Sequence, residues 1–271
     1  MTDYIGVCEQ AARAGGQVLR EMQGRIKVRE KGPRDLVTEA DLASQKVIRE
    51  ILAEEFPSHD FRGEEDGANS GDATLQDNSN SPYCWVVDPL DGTTNYVHQL
   101  PLYCVSVALR HGDDVVCGTV YDPVSDECFT AVADGGAFLN GSPLRVSECQ
   151  RLDDALVAAS FAPNVPRGSI EVTRFIEVLH RCQAVRRLGS AALNLCYVAA
   201  GRLDAYFAAN IKSWDVAAGQ LILREAGATL TALDGGPFQL DHPQFASAAT
   251  APLHGELMAI LRHAKADDGT E

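Results

Sequence analysis

Trp85-Val86-Val87-Asp88-Pro89-Leu90-Asp91-Gly92-Thr93-Thr94-Asn95 joins an apolar run to two carboxylates, a glycine and three small polar residues. Tyr83 to Val87 reads as a buried strand that delivers Asp88 at its C-terminal end. Pro89 fixes the turn, and Asp91 follows three residues after Asp88. Gly92 lets the backbone approach a ligand closely. Thr93, Thr94 and Asn95 suit the first turn of a helix, whose free N–H groups attract phosphate. Two carboxylates beside such a helix start suit Mg²⁺, a hard cation that takes oxygen ligands and substrate phosphate together. Either Asp alone would read as a solvated strand end or turn; the ordered string carries the chemistry.

Working downstream, Val105, Val107 and Leu109 alternate with smaller residues, and runs at 114–121 and 127–132 follow short turns, so a block of strands is expected. Asn140-Gly141 is a hairpin signal, because a type I′ turn needs positive φ at both central residues. Helices near 170–182, 190–201 and 215–226 then alternate with a strand at 203–208, and Leu253, Leu257, Ile260 and Leu261 mark a closing helix. Upstream, Ile5, Cys8, Ala12, Gly15, Leu19 and Met22 set an amphipathic helix over 3–25. Thr38 N-caps a second helix that ends near Phe56-Pro57. Residues 66–82 hold little that could enter a core and read as a mobile surface loop; the charged tail 264–271 reads as frayed. With no internal repeat and no clear linker, 1–271 is expected to be one layered α/β (α+β) sandwich.

Three further acids have bland and sharp readings. Glu64 lies in Gly63-Glu64-Glu65-Asp66, after a short strand at 60–62, and alone is part of a solvated charge run. Asp215 opens the buried helix 215–226, where it reads as an N-cap that could also bind metal. Asp41 sits in the first turn of the second helix, where an acid suits the macrodipole anyway.

Acidic residues outnumber basic ones 38 to 23 in the 271-residue chain, for a net charge of −15. That balance argues against broad nucleic-acid binding and against a polybasic membrane patch. An anionic substrate would need a bound metal to reverse the local field. No apolar run approaches the ~20 residues of a spanning helix. Met1-Thr2-Asp3-Tyr4 shows no secretion signal. The eight cysteines form no CxxC pair and lie mostly in apolar strings, which suggests reduced thiols in a cytoplasmic protein.

Asp88-Pro89-Leu90-Asp91-Gly92-Thr93-Thr94-Asn95, with Gly63-Glu64-Glu65 before it and Trp214-Asp215-Val216-Ala217-Ala218-Gly219 after it, resembles the inositol monophosphatase family of Mg²⁺-dependent, Li⁺-sensitive phosphatases. The match runs from Asp35-Leu36-Val37-Thr38 to the C-terminal helix. The resemblance implies an αβαβα sandwich, a homodimer and two or three Mg²⁺ per subunit. It implies metal ligation by Glu64, Asp88, Asp91, Asp215 and the Leu90 carbonyl, with Asp41 near a weaker third metal. Thr93 matches the hydroxyl that, with Glu64, orients the attacking water. Gly92, Thr93 and Thr94 match the phosphate cradle, and Gly189-Ser190-Ala191 a substrate-side loop.

One position departs from the pattern. Inositol-specific members carry a polyol-binding Glu seven residues before the second-motif Asp, and here that residue is Ala208. Lys212 could instead face a second anionic group. The expected activity is hydrolysis of inositol 1-phosphate or a similar polyol phosphate. Histidinol-phosphatase and fructose-1,6-bisphosphatase activities stay open because of Ala208. A non-catalytic regulatory protein is disfavoured, because clustered unused carboxylates are costly. Arg186-Arg187 reads as site rim or dimer contact, and His98 as a polar loop residue rather than a general acid.

Overall fold

The computed structural model describes residues 3–25, 28–32, 35–66, 81–162 and 164–264. Most of the segments expected as a mobile loop (66–82) and a frayed tail (264–271) lie outside these residues. The helices are α1 (Tyr4–Met22), α2 (Glu39–Glu55), α3 (Thr93–Val97), α4 (Ile170–Leu179), α5 (Ala191–Ala199), α6 (Ser213–Glu225) and α7 (Ala251–His263). The strands are β1 (Val28–Gly32), β2 (Asp35–Thr38), β3 (Asp60–Gly63), β4 (Tyr83–Asp91), β5 (Cys104–His111), β6 (Asp114–Asp122), β7 (Glu127–Val132), β8 (Gly136–Leu139), β9 (Ser142–Pro143), β10 (Leu156–Ser160), β11 (Ala184–Arg186), β12 (Ala205–Ala208), β13 (Thr229–Ala232) and β14 (Phe245–Ala248).

A seven-stranded sheet runs in the order β3-β4-β5-β6-β7-β8-β9, antiparallel except for the β3–β4 pair. A five-stranded sheet runs β11-β10-β12-β14-β13, with β10 parallel to both its neighbours. Three apolar cores hold five layers together, the middle one filling both faces of the central helices. Ala12 and Leu19 of α1 and Ile48 and Leu52 of α2 pack on Trp85, Val87 and Leu109. Leu195 and Val198 of α5 and Val216 and Ile222 of α6 fill the space between the sheets, touching Val86 and Phe129 on one side and Tyr206 and Phe245 on the other. Val178 of α4 and Leu253, Leu257 and Leu261 of α7 cover the outer face of the second sheet, against Val157 and Phe207. The order is therefore α-β-α-β-α, as expected. Gly118 shows how tightly α6 sits: a Cβ there would lie 2.8 Å from Ala218 Cα.

Local signals behave as their chemistry dictates. Thr38 caps α2 by accepting from Ala40 N–H at 3.1 Å. Asn140 and Gly141 take φ of 48° and 78° between β8 and β9. The eight cysteines are free, six of them buried.

Three expectations change. Asp66 is not the start of a loose loop: it ends a 3₁₀ turn, Glu64–Asp66, and accepts from Gly63 N–H and from Gln45 Nε2. α6 begins at Ser213, with Lys212 as cap, so Asp215 is its third residue and not its cap. Finally, β4 does not stop at Asp88; it continues to Asp91 through an irregularity in its pairing with β5.

Candidate active site

That irregularity builds the site. Asp88 pairs with Ser106 and Asp91 with Cys104, so Pro89 and Leu90 together oppose the single residue Val105. This is a β-bulge, and Pro89 favours it because proline has no N–H to give to the ladder. Side chains on a regular strand alternate faces, so residues three apart point in opposite directions. The extra residue cancels that offset and turns both aspartates toward α5 and α6. Leu90 correspondingly packs with Val87 in the core under α1 and α2. From α2, the Ser44 hydroxyl donates to the Pro89 carbonyl at 2.9 Å and pins the bulge.

Gly92 follows in the left-handed region at φ 98° and caps α3. A Cβ at Gly92 would lie 2.9 Å from Leu102 O, so conformation and space both demand glycine. Thr93 opens α3 half-buried, and Thr94 next to it is exposed. The Thr93 hydroxyl lies 3.1 Å from the Leu90 carbonyl and 3.3 Å from Asp41 Oδ1, and can donate to either. Asn95 Nδ2 donates at 2.7 Å to both Leu102 O and Leu188 O, and so holds α3 between two loops.

Four carboxylates face one field. Asp88 is 2% exposed and accepts from Leu90 N–H. Burial, then the charges of Glu64, Asp91 and Asp215, push Asp88 well above the usual carboxylate range. Burial pushes Asp215 up in the same way, reinforced by Asp91 and Glu64 and opposed by the Lys212 N–H and ammonium. Burial also raises Asp91, while the Ser190 hydroxyl and the Ala192 N–H pull it back. Glu64 reaches this field because Gln45 and Asp66 hold its turn against α2: Gln45 Oε1 accepts from Glu65 N–H at 3.0 Å. Ser106 donates to Trp214 O at 3.3 Å and ties the start of α6 to β5.

Among the described residues no group of three or more His, Cys, Asp or Glu side chains stands close enough together to hold a metal ion. The donor set nonetheless has the chemistry of a hard-cation site. Its members are oxygens: the carboxylates of Glu64, Asp88, Asp91 and Asp215, the last three pushed up first by burial, and the Leu90 carbonyl, which Thr93 approaches. Like charges held together with little solvent are stabilised by a cation bound among them.

The remaining expected residues sort differently. Asp41 is fully buried and joins the cluster through Thr93. Gly189 takes φ 85° against Asn95, and Ala191 is the buried first residue of α5. Ser190 is buried, with its hydroxyl turned to Asp91. Lys212 is exposed at the start of α6. His98 is an exposed cap of α3, and Arg187 stacks over Phe161. Ala208 ends β12, within the strand expected at 203–208, paired with Ser160 and Phe245, and is fully buried. Ser44, Gln45 and Ser106 support the site without having been singled out in the sequence. Their signal, a small or amide side chain on an otherwise apolar face, is too common to read without the fold.

The layered α-β-α-β-α sandwich is a fold shared with solved phosphatase structures. The model of the inositol monophosphatase family matches residues 2–266. Inositol monophosphatase 2 of Solanum lycopersicum is 42% identical over 245 residues, covering 89% of this chain and 91% of that protein. A fructose-1,6-bisphosphatase/inositol-1-monophosphatase of Aquifex aeolicus is 39% identical over 239 residues, or 87% of each chain. The solved structure of inositol monophosphatase from Anabaena (Nostoc) superposes with a TM-score of 0.83 at 35% identity, covering 97% of this chain and 96% of that one. The chain belongs to the inositol monophosphatase family and is a phosphatase of that family.

Proposed function

We propose that the protein hydrolyses small phosphate monoesters, inositol 1-phosphate or a similar polyol phosphate among them, with two or three Mg²⁺ per subunit. The observation that carries this reading is the bulge, which turns Asp88 and Asp91 to one face beside the N-terminus of α3. Glu64, Asp88, Asp91, Asp215 and the Leu90 carbonyl would hold the metal. When bound, Mg²⁺ supplies a Lewis acid and a lowered pKa for water. The chain's own residues supply orientation. Asp41 accepts from the Thr93 hydroxyl and thereby aims that oxygen, and Thr93 with Glu64 aligns the attacking water. The backbone of Gly92, Thr93 and Thr94 cradles the phosphoryl oxygens, because the first N–H groups of a helix have no internal partner.

Substrate preference is expected to be broad. Ala208 offers no acceptor for a polyol hydroxyl, and strong discrimination arises mainly where a site's polar groups would be left unpaired. Being fully buried, Ala208 is also no place to install the missing carboxylate, since a Glu there would put a charge into the core between the sheets. Lithium sensitivity, a homodimer and a cytoplasmic location belong to the same reading. So does action as one unit over 1–271, which the packing of α5 and α6 between the two sheets supports.

The test is phosphate release from a panel of phosphomonoesters, including fructose 1,6-bisphosphate and histidinol phosphate, with Mg²⁺ and with excess EDTA. Mg²⁺-dependent release is expected, with inositol 1-phosphate favoured by no more than ~10-fold in kcat/KM. Full activity in EDTA, or no release from any ester, overturns the assignment; a preference of several hundredfold overturns the role given to Ala208.

A further inference from the structure

Ser190 reads, from the family pattern, as part of a substrate-side loop, but its side chain has another occupation. The residue is 1% exposed. Its Oγ lies 2.6 Å from Asp91 Oδ2, and it also accepts from Leu193 N–H at 3.2 Å as the N-cap of α5. A serine hydroxyl has one proton. With a backbone N–H arriving at Oγ and the Cys104 Sγ farther off at 3.6 Å, the 2.6 Å contact directs that proton to the carboxylate. Asp91 Oδ2 accepts from Ala192 N–H as well, at 2.7 Å, with the Cys104 thiol a longer donor at 3.8 Å, so the start of α5 supplies its two short hydrogen bonds. The same carboxylate acts on Asp88 and Asp215 and so belongs to their shared field. The same segment is anchored two residues earlier, where Leu188 O accepts from Asn95. Residues 188–192 therefore grip the turn Asp91–Asn95 at both ends.

We propose that Ser190 is a positioning residue for Asp91: it fixes one oxygen of the carboxylate so that the other is presented to the cation, and it does not bind substrate. The proposal rests on the phosphatase reading only for its kinetic arm. Groups that orient a metal ligand commonly govern affinity nearly as strongly as the ligand itself, with losses of ~10–100-fold on removal.

The experiment compares Ser190→Gly with Ser190→Thr. Glycine is almost as good an N-cap as serine, so α5 should keep its start while the bond to Asp91 is lost. Threonine keeps the hydroxyl. Binding of Mg²⁺ alone is read from the rise in melting temperature on titration without substrate. Activity is read as the Mg²⁺ concentration for half-maximal rate and as KM at saturating Mg²⁺. Ser190→Gly is expected to need about tenfold more Mg²⁺ in both titrations, with KM unchanged within about twofold, and Ser190→Thr to track the wild type. Unchanged Mg²⁺ dependence with a raised KM makes Ser190 a substrate residue and overturns the proposal. So does a Ser190→Thr variant as impaired as Ser190→Gly, since the hydroxyl would then not be what matters. Should Ser190→Gly not fold, Ser190→Ala takes its place in the same comparison. A wild-type protein that releases no phosphate refutes the function, yet the Mg²⁺ melting titration still decides the role of Ser190.

Discussion

Asp41 and Asp215 occupy the same place in two helices but stand in different surroundings. Each is the third residue of its helix, and each accepts the backbone N–H of the capping residue, from Thr38 at 2.9 Å and from Lys212 at 2.9 Å. Around Asp41 the chain closes completely. The Thr38 hydroxyl donates to the same oxygen at 2.5 Å, Thr93 approaches the other, and no part of the residue is exposed. Around Asp215 the chain leaves one oxygen without a hydrogen bond among the described residues and surrounds the carboxylate with the charges of Asp91 and Glu64. A helix-start acid is thus a cap where donors surround it and a candidate metal ligand where other acids do.

Removing each carboxylate should separate the two roles. Asp215→Ala is expected to lower kcat by at least ~10²-fold, the scale of losing one strong electrostatic contribution at a reacting centre. Its metal-free melting temperature should hold or rise, because a repelling charge leaves the cluster. Steady-state assay over a wide Mg²⁺ range and a thermal melt in EDTA check both halves. Near-wild-type turnover would make Asp215 a cap like Asp41 and collapse the contrast.

Thr93 is the link between the two environments, since it touches Asp41 while opening α3, the helix proposed to cradle the phosphate. If its hydroxyl aligns water, Thr93→Ala removes an interaction that matters mainly in the transition state, so kcat falls by ~10–10²-fold while KM moves little. An effect confined to KM would make Thr93 a binding group and leave Asp41 without a catalytic connection.

Asp41→Ala should show the opposite balance from Asp215→Ala. It strands the Thr38 N–H and hydroxyl in a buried setting, at a cost of ~1–3 kcal/mol. For a chain of this size that is a fall of about 3–8 °C in melting temperature. Activity should drop less than in Asp215→Ala, through loosened Thr93. A stable Asp41→Ala protein with activity lost outright would show that Asp41 works at the metal and not as a cap.

How much of this could be read beforehand follows the same division. The five layers were legible because helical and alternating periods are written over long stretches, as in Val105, Val107 and Leu109. Thr38 and Asn140-Gly141 could be read because their signals act within a few residues. The bulge could not, although Pro89 advertises it, because a strand's face is defined only against its partner, here Cys104 and Ser106. Read as a strand ending at Asp88, the motif gives two acids in order but not the reason they point the same way. The Ser190–Asp91 contact spans 99 residues, and nothing local to either residue announces it. Ala208 was visible as a departure, but its burial between β10 and β14 is a property of the sheet.

Lys212 carries the smallest effect and sharpens the comparison last. It gives its N–H to Asp215, and its ammonium acts on that carboxylate, yet the side chain is exposed. An exposed cation acts through solvent, so its pull on an arriving phosphate is weak and falls off over a Debye length of roughly 8 Å at physiological salt. In a chain of net charge −15 such a cation still matters for an anionic substrate, because the rest of the surface repels it. Lys212→Met is therefore expected to raise KM by ~2–5-fold at low ionic strength, to leave kcat unchanged, and to lose most of its effect in ~0.5 M salt. Initial rates at two ionic strengths decide the matter. A KM equal to wild type at low salt would leave Lys212 as cap and solvated surface only. A tenfold fall in kcat would instead place its ammonium against the reacting group, and Asp215 would then differ from Asp41 by its cation as much as by its neighbouring acids.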